Sequence, residues 1–216
     1  MKKGFIFDLD GVITDTANLH YIAWKDLATM MDIEIDLAFN ERLKGISRMD
    51  SLERILVYGG KENDFSLAQK ETLAEEKNKH YVELLQDLTP KDLLPGVTEF
   101  LSAARDYQIP CVVASASKNA PFILQKLEVF NMFDAIVDPS TLKKGKPDPE
   151  IFIRAAEAIN LSPKEAVGFE DARAGIEGIK ACGMFAVGVE TTESLEQADL
   201  RIKKLNELSV GDLLQK

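Results

Sequence analysis

Short apolar runs rich in β-branched residues alternate with segments of helical period, and this alternation predicts an α/β fold. Such a pattern folds as a parallel sheet with helices on both faces. A long stretch after the first run has helical signals only, which predicts a helical domain inserted into that fold. The chain has 216 residues, 45% hydrophobic and 29% charged. That size and balance suit one domain, or a core with one modest insertion, able to bury a sizeable interior.

Taken in order, the apolar runs are 4–9, 109–115, 135–137, 166–169 and 185–189. Each is too short for a helix and is bounded by polar or turn residues. Helical periodicity marks 97–107, 121–130, 149–160 and 172–182 between them. Pro121 and Pro149 suit first-turn positions, and Gly183 suits a C-terminal cap. In the insert, 17–31 is amphipathic, 49–58 is a short helix and 65–88 is a long charged helix without Gly or Pro. Pro90 and Pro95-Gly96 mark the return to the alternating pattern. The expected architecture is therefore a Rossmann-like core of residues 1–15 and 93–216 with a helical cap domain of residues 16–92. Ligands of doubly wound sheets lie at the carboxyl ends of the strands, where such an insert would sit as a lid.

Several functions are disfavoured at this level. The net charge of −10 argues against nucleic acid and anionic membranes as partners. No run approaches the ~20 apolar residues of a membrane helix. Asp8 and Asp10 interrupt the N-terminal apolar run too early for a signal peptide, so a cytoplasmic protein is expected, acting as a monomer. Cys111 and Cys182 lie in apolar segments outside any metal-ligand spacing, which reads as buried free thiols.

Four segments at strand ends carry chemistry. Asp8 and Asp10, in Asp8-Leu9-Asp10-Gly11, point the same way along an extended chain, and a cation would relieve their repulsion; an ordinary turn explains them as well. Glu170-Asp171 is a second acid pair after an apolar run, fit for a hard cation such as Mg²⁺, although Asp171 alone could be an N-cap. Ser115-Ala116-Ser117-Lys118-Asn119 combines hydroxyls, a lysine and a helix start, an arrangement suited to an anion and equally to a polar loop. Lys143-Lys144-Gly145-Lys146-Pro147 is either a solvated basic loop or a source of phosphate neutralisation in an acidic chain.

The order acid pair, Ser, Lys, acid pair, each after a strand-like run, resembles the haloacid dehalogenase (HAD) superfamily over nearly the whole chain. The resemblance implies that Asp8 is a nucleophile forming an aspartyl-phosphate and that Asp10 is the general acid and base. Ser115 and Lys146 would hold the transferring phosphoryl group. Asp8, Glu170, Asp171 and the Asp10 backbone carbonyl would bind Mg²⁺. Among the three nearby lysines, Lys146 is chosen because it precedes Pro147, as in the motif. The runs GVITDT, LKGISR and ASASKN are similar to those of the β-phosphoglucomutase subfamily. That likeness implies a sugar phosphate substrate and glucose 1,6-bisphosphate as activator, with a phosphatase as the alternative. Arg48, Ser117, Lys118 and Asn119 would hold the second phosphate, beside Ala116. Thr16, His20 and Lys77 would lie near Asp10, and Trp24, Lys44, Gly45 and Ser51 would line the sugar pocket. Without the likeness, Trp24 reads as packing and Lys77 as a solvated helix charge.

Overall fold

The computed structural model describes residues 1–43, 45–190 and 194–216. The chain divides into two compact units, Met1–Asp15 with Leu88–Lys216, and Thr16–Asp87.

The first unit is built on a sheet of six strands: β1 (Gly4–Phe7), β2 (Cys111–Val113), β3 (Ala135–Ile136), β4 (Ala166–Glu170), β5 (Phe185–Val189) and β6 (Leu200–Ile202). Their order is β3-β2-β1-β4-β5-β6, and every pairing is parallel. All carboxyl ends therefore share one edge, and the ends of β2, β1 and β4 are neighbours there. Alternation along β1 sends Phe5 and Phe7 to one face and Ile6 to the other. Phe7 stacks on Phe169 at 4.5 Å, and both meet Phe100 of α5 (Val97–Asp106). Ile6 and Val112 pack on the opposite face with Phe152 of α7 (Glu150–Ala158) and Ile176 of α8 (Arg173–Ala181). Covering helices on both faces explain why the central strands are continuous apolar runs.

The second unit holds α1 (Ala17–Met30), α2 (Leu37–Asn40), α3 (Arg48–Tyr58) and α4 (Leu67–Leu84). Trp24, Leu27, Leu52, Ile55 and Ala74 form its own core. Ser47 caps α3 by accepting from the Asp50 N–H, and Ser66 with Gln69 forms a capping box on α4.

The elements depart from expectation at their ends. The expected helix 65–88 stops at Leu84, and Leu85–Asp87 tightens into a 3₁₀ turn. Residues 88–92, expected in the insert, fall in the first unit. There the Thr14 hydroxyl donates to the Asp92 carbonyl at 2.8 Å, and the Leu94 N–H donates to the Ile13 carbonyl at 2.9 Å. Strand β6 and helices α2, α6 (Ala120–Lys126, which begins one residue earlier than its expected Pro121) and α9 (Val210–Leu214) complete the list. Of these, β6, α2 and α9 have no counterpart in the sequence reading. Among the described residues, no helix is long and apolar enough to cross a membrane.

Candidate active site

Strand β1 delivers Asp8 to the shared carboxyl edge, where its N–H donates to the Phe169 carbonyl of neighbouring β4 at 2.9 Å. Glu170 is the last residue of β4, and Asp171 follows it. Ligand oxygens of Asp8, Glu170 and Asp171 all lie within 4.8 Å of one another. Lys146 enters from the segment between β3 and α7. Its ammonium donates to Asp8 Oδ1 at 2.5 Å and to Glu170 Oε2 at 2.8 Å. All four side chains are buried.

Burial alone would drive the Lys146 ammonium toward its neutral form. The charges and hydrogen bonds of Asp8 and Glu170 outweigh that and hold it above the ordinary lysine range. Burial pushes the Glu170 carboxyl up to about 7, the like charge of Asp8 adds to the rise, and Lys146 opposes it. The other oxygen of Glu170 accepts from the N–H groups of Asp171 and Ala172, both at 3.1 Å. Glu170 is thus gripped on both oxygens. The neighbouring lysines are engaged elsewhere along the loop. The backbone N–H groups of Lys143 and Lys144 donate to Glu150 Oε2, and the Lys144 side chain pairs with Asp148.

Two glycines let these carboxylates sit where they do. At Gly11 (φ +74°) a Cβ would lie 2.1 Å from Asp171 Oδ2, and at Gly175 in α8 a Cβ would lie 1.9 Å from Glu170 Oε2. Sequence reasoning treated Gly11 as a turn residue and passed over Gly175. The spacing Glu170 to Gly175 was the available signal, since it puts a bare patch of the helix start against the strand end.

Asp10 lies in the turn that follows, bridged to Thr14, and its carboxylate is outside the three-carboxylate cluster. Ser115 sits buried past the end of β2, which is tied to β1 by the Ala114 N–H donating to the Phe7 carbonyl at 2.8 Å. Ser117 N–H donates to Ser115 Oγ at 3.1 Å, and Asn119 N–H donates to Ser117 Oγ at 3.2 Å. Those two amides are engaged, and beside them Lys118 is exposed and Ala116 half-buried.

The helical unit gathers a second group. Thr16 Oγ1 and the Tyr81 hydroxyl share a hydrogen bond at 2.7 Å. Lys77 Nζ lies 2.7 Å from His20 Nδ1. The His20 ring stacks on Tyr81 at 3.9 Å. Lys77 is only 3% exposed, contrary to a solvated helix charge, because two aromatic faces receive its ammonium. Trp24, expected as a pocket wall, is buried at 2% exposure in the unit's core. Arg48 donates to Asn78 Oδ1 at 2.8 Å and lies 3.5 Å from Glu75. Ser51 is buried and its hydroxyl donates to the Ser47 carbonyl at 3.0 Å. Gly45 holds a left-handed φ of 71°, and Lys44 lies outside the described residues. Tyr81 was missed by sequence reasoning, although it stands four residues after Lys77 on the same helix face.

A buried carboxylate, a lysine paired with it and a cluster of three carboxylates at strand ends suit a phosphoryl-transfer type of site. The haloacid dehalogenase-like hydrolase family profile matches residues 2–183, and the chain belongs to that family. The chain is 50% identical over 208 residues to the β-phosphoglucomutase of Bacillus subtilis (strain 168), covering 96% of this chain and 92% of that protein. It superimposes on the crystal structure of β-phosphoglucomutase from Clostridium difficile with a TM-score of 0.96 at 46% identity, covering 100% of this chain and 96% of that one. A phosphorylated carbohydrates phosphatase from Thermotoga maritima is 30% identical over 184 residues, 84% of this chain and 82% of that protein. Mg²⁺ is the metal of this family, and the three carboxylates, with no nitrogen or sulfur ligand among them, fit that hard cation.

Proposed function

We propose that the chain is a β-phosphoglucomutase that interconverts β-D-glucose 1-phosphate and D-glucose 6-phosphate. The observation that carries this reading is the buried Asp8–Lys146–Glu170 arrangement in a chain half identical to the B. subtilis enzyme. A carboxylate oxygen of Asp8 attacks phosphorus in line, and the bond from phosphorus to the sugar oxygen breaks. Asp10 gives its proton to the departing sugar oxygen. In the reverse sense it takes the proton from the hydroxyl that attacks phospho-Asp8. β-Glucose 1,6-bisphosphate is the species released between the two half-reactions, and it also primes the enzyme.

Lys146 and Ser115 hold the transferring group's oxygens. Asp8, Glu170, Asp171 and the Asp10 carbonyl hold Mg²⁺, which when bound neutralises charge on that group. Arg48, and likewise Ser117, Lys118 and Asn119, are phosphate-binding residues in this reading. Trp24, Lys44, Gly45 and Ser51 shape the sugar pocket, while Thr16, His20 and Lys77 act on the proton-transfer side.

The Thermotoga relative's name favours one second reading, a sugar-phosphate phosphatase. The test supplies β-glucose 1-phosphate, Mg²⁺ and a trace of glucose 1,6-bisphosphate, and follows glucose 6-phosphate and free phosphate together. Glucose 6-phosphate with little free phosphate, abolished in Asp8→Ala, supports the mutase. Predominant free phosphate moves the assignment to the phosphatase.

A further inference from the structure

His20 and Lys77 form a buried contact whose chemistry is decided by their surroundings. The Lys77 nitrogen lies 4.7 Å from the Trp24 ring centroid and 4.5 Å from that of Tyr81. Two ring faces stabilise an ammonium and offer nothing to a neutral amine. An ammonium has donors and no acceptor, so across the 2.7 Å contact it donates and His20 Nδ1 accepts. A neutral imidazole whose Nδ1 accepts carries its proton on Nε2. Turning the ring over would set a C–H against the ammonium, and the stack of His20 on Tyr81, 3.9 Å between centroids with planes 27° apart, holds the ring in place.

We propose that Lys77 locks His20 as the neutral Nε2–H tautomer, which makes His20 Nε2 a hydrogen-bond donor of constant charge rather than a carrier of protons. The groups facing the ring agree. Lys77 and Tyr81 come from α4 and Arg48 from α3, and the charges of Lys77 and Arg48 on the ring are both positive. Burial, then Lys77, then Arg48 hold the imidazolium form well below its ordinary range. Protonating Nδ1 would remove the acceptor from Lys77 and set two cations in contact. Most histidines change charge between about pH 5 and about pH 8; this one keeps its state across that range. As a role in catalysis the inference rests on the proposed function and leaves Asp10 as the group that moves the proton. As a statement about the ring it does not.

The experiment therefore reads the ring. The chain has two histidines, so long-range ¹H–¹⁵N spectra of ¹⁵N-histidine-labelled full-length protein contain two patterns, assigned with His80→Gln. The expected His20 pattern is an unprotonated Nδ1 and a protonated Nε2, unchanged from about pH 5 to about pH 8. Lys77→Met should replace it with mixed tautomers that titrate within that window. A protonated Nδ1 in the unsubstituted protein at neutral pH overturns the inference, and so does an unaltered pattern in folded Lys77→Met. If Lys77→Met does not fold, the unsubstituted spectrum still decides. Because no turnover is measured, failure here is distinct from failure of the mutase assignment.

Discussion

Gly175→Ala adds one methyl group and should separate the rigid-seat view of Glu170 from a flexible one. The new Cβ would lie 1.9 Å from Glu170 Oε2, 2.0 Å from Cδ and 2.3 Å from Cγ. Ordinary contact begins at 3.4 Å, so the carboxylate must retreat by about 1.5 Å. On an exposed glutamate that would cost little. Glu170 is fully buried, and its oxygens are held by Lys146 at 2.8 Å and by two N–H groups at 3.1 Å. A retreat of that size breaks at least one hydrogen bond to a charged group, roughly 1.5–3 kcal/mol, and adds roughly 1–3 kcal/mol of overpacking. The opposing gain in helix propensity is at most about 1 kcal/mol. The net expectation is a loss of roughly 1.5–6 kcal/mol, or about 3–24 °C in Tm for a chain of this size. Displacing a ligand carboxylate should also weaken Mg²⁺ binding by roughly 10–100-fold. Calorimetric unfolding without metal and Mg²⁺ titration of the folded protein measure the two effects. A variant that is more stable than the parent and binds Mg²⁺ equally well would refute the reasoning, because Glu170 would then have a second seat.

Three further outcomes follow from the same geometry. Lys146→Met leaves Asp8 and Glu170 as buried, uncompensated carboxylates and should cost roughly 3–5 kcal/mol without metal; Mg²⁺ should restore part of it, and equal Tm values for variant and parent in metal-free buffer would contradict the ion-pair account. The Cys111 thiol is pushed up to about 12, chiefly by burial and then by the charge of Asp134. The folded state keeps that proton while the unfolded thiol loses it above its model value of 9.0, so stability must fall as pH rises from about 9 toward about 12, with a limiting slope of about 1.4 kcal/mol per unit. Urea unfolding at stepped pH, with Cys111→Val expected to lack this component, measures it. Tyr81→Phe removes the partner of the buried Thr16 hydroxyl at 2.7 Å and should lower stability by about 1 kcal/mol, read from the urea midpoint at constant m.

Strands β1, β2, β4 and β5 were legible because each is buried on both faces and so carries an uninterrupted apolar run. Strand β6 was not. Its residues Leu200–Ile202 lie at the sheet edge with Arg201 exposed, and they pair only through Val187↔Leu200 and its successors. Neighbouring Asp199 is fixed by tertiary contacts, accepting from the Ala186 N–H at 2.8 Å and pairing with Lys180, and no local pattern announces either. Helix α2 spans only Leu37–Asn40, too few residues for a period.

The chemistry divides in the same way. By itself the chain determined which residues stand at strand ends, because alternation and run length follow from the local backbone. Asp8, Ser115, Glu170 and Asp171 could be named from position alone, and their order supplied the family. Only the tertiary structure decided that Lys146, and neither Lys143 nor Lys144, meets Asp8 and Glu170. It alone showed that the Ser117 and Asn119 N–H groups are engaged by the hydroxyls of Ser115 and Ser117, and that Gly175 leaves room for a carboxylate. In the helical unit it buried the Lys77 ammonium between two rings, where the local pattern without the family likeness would leave it solvated. Such facts depend on which segments distant in sequence come within a few ångströms, and burial then sets the strength of every charge they bring together.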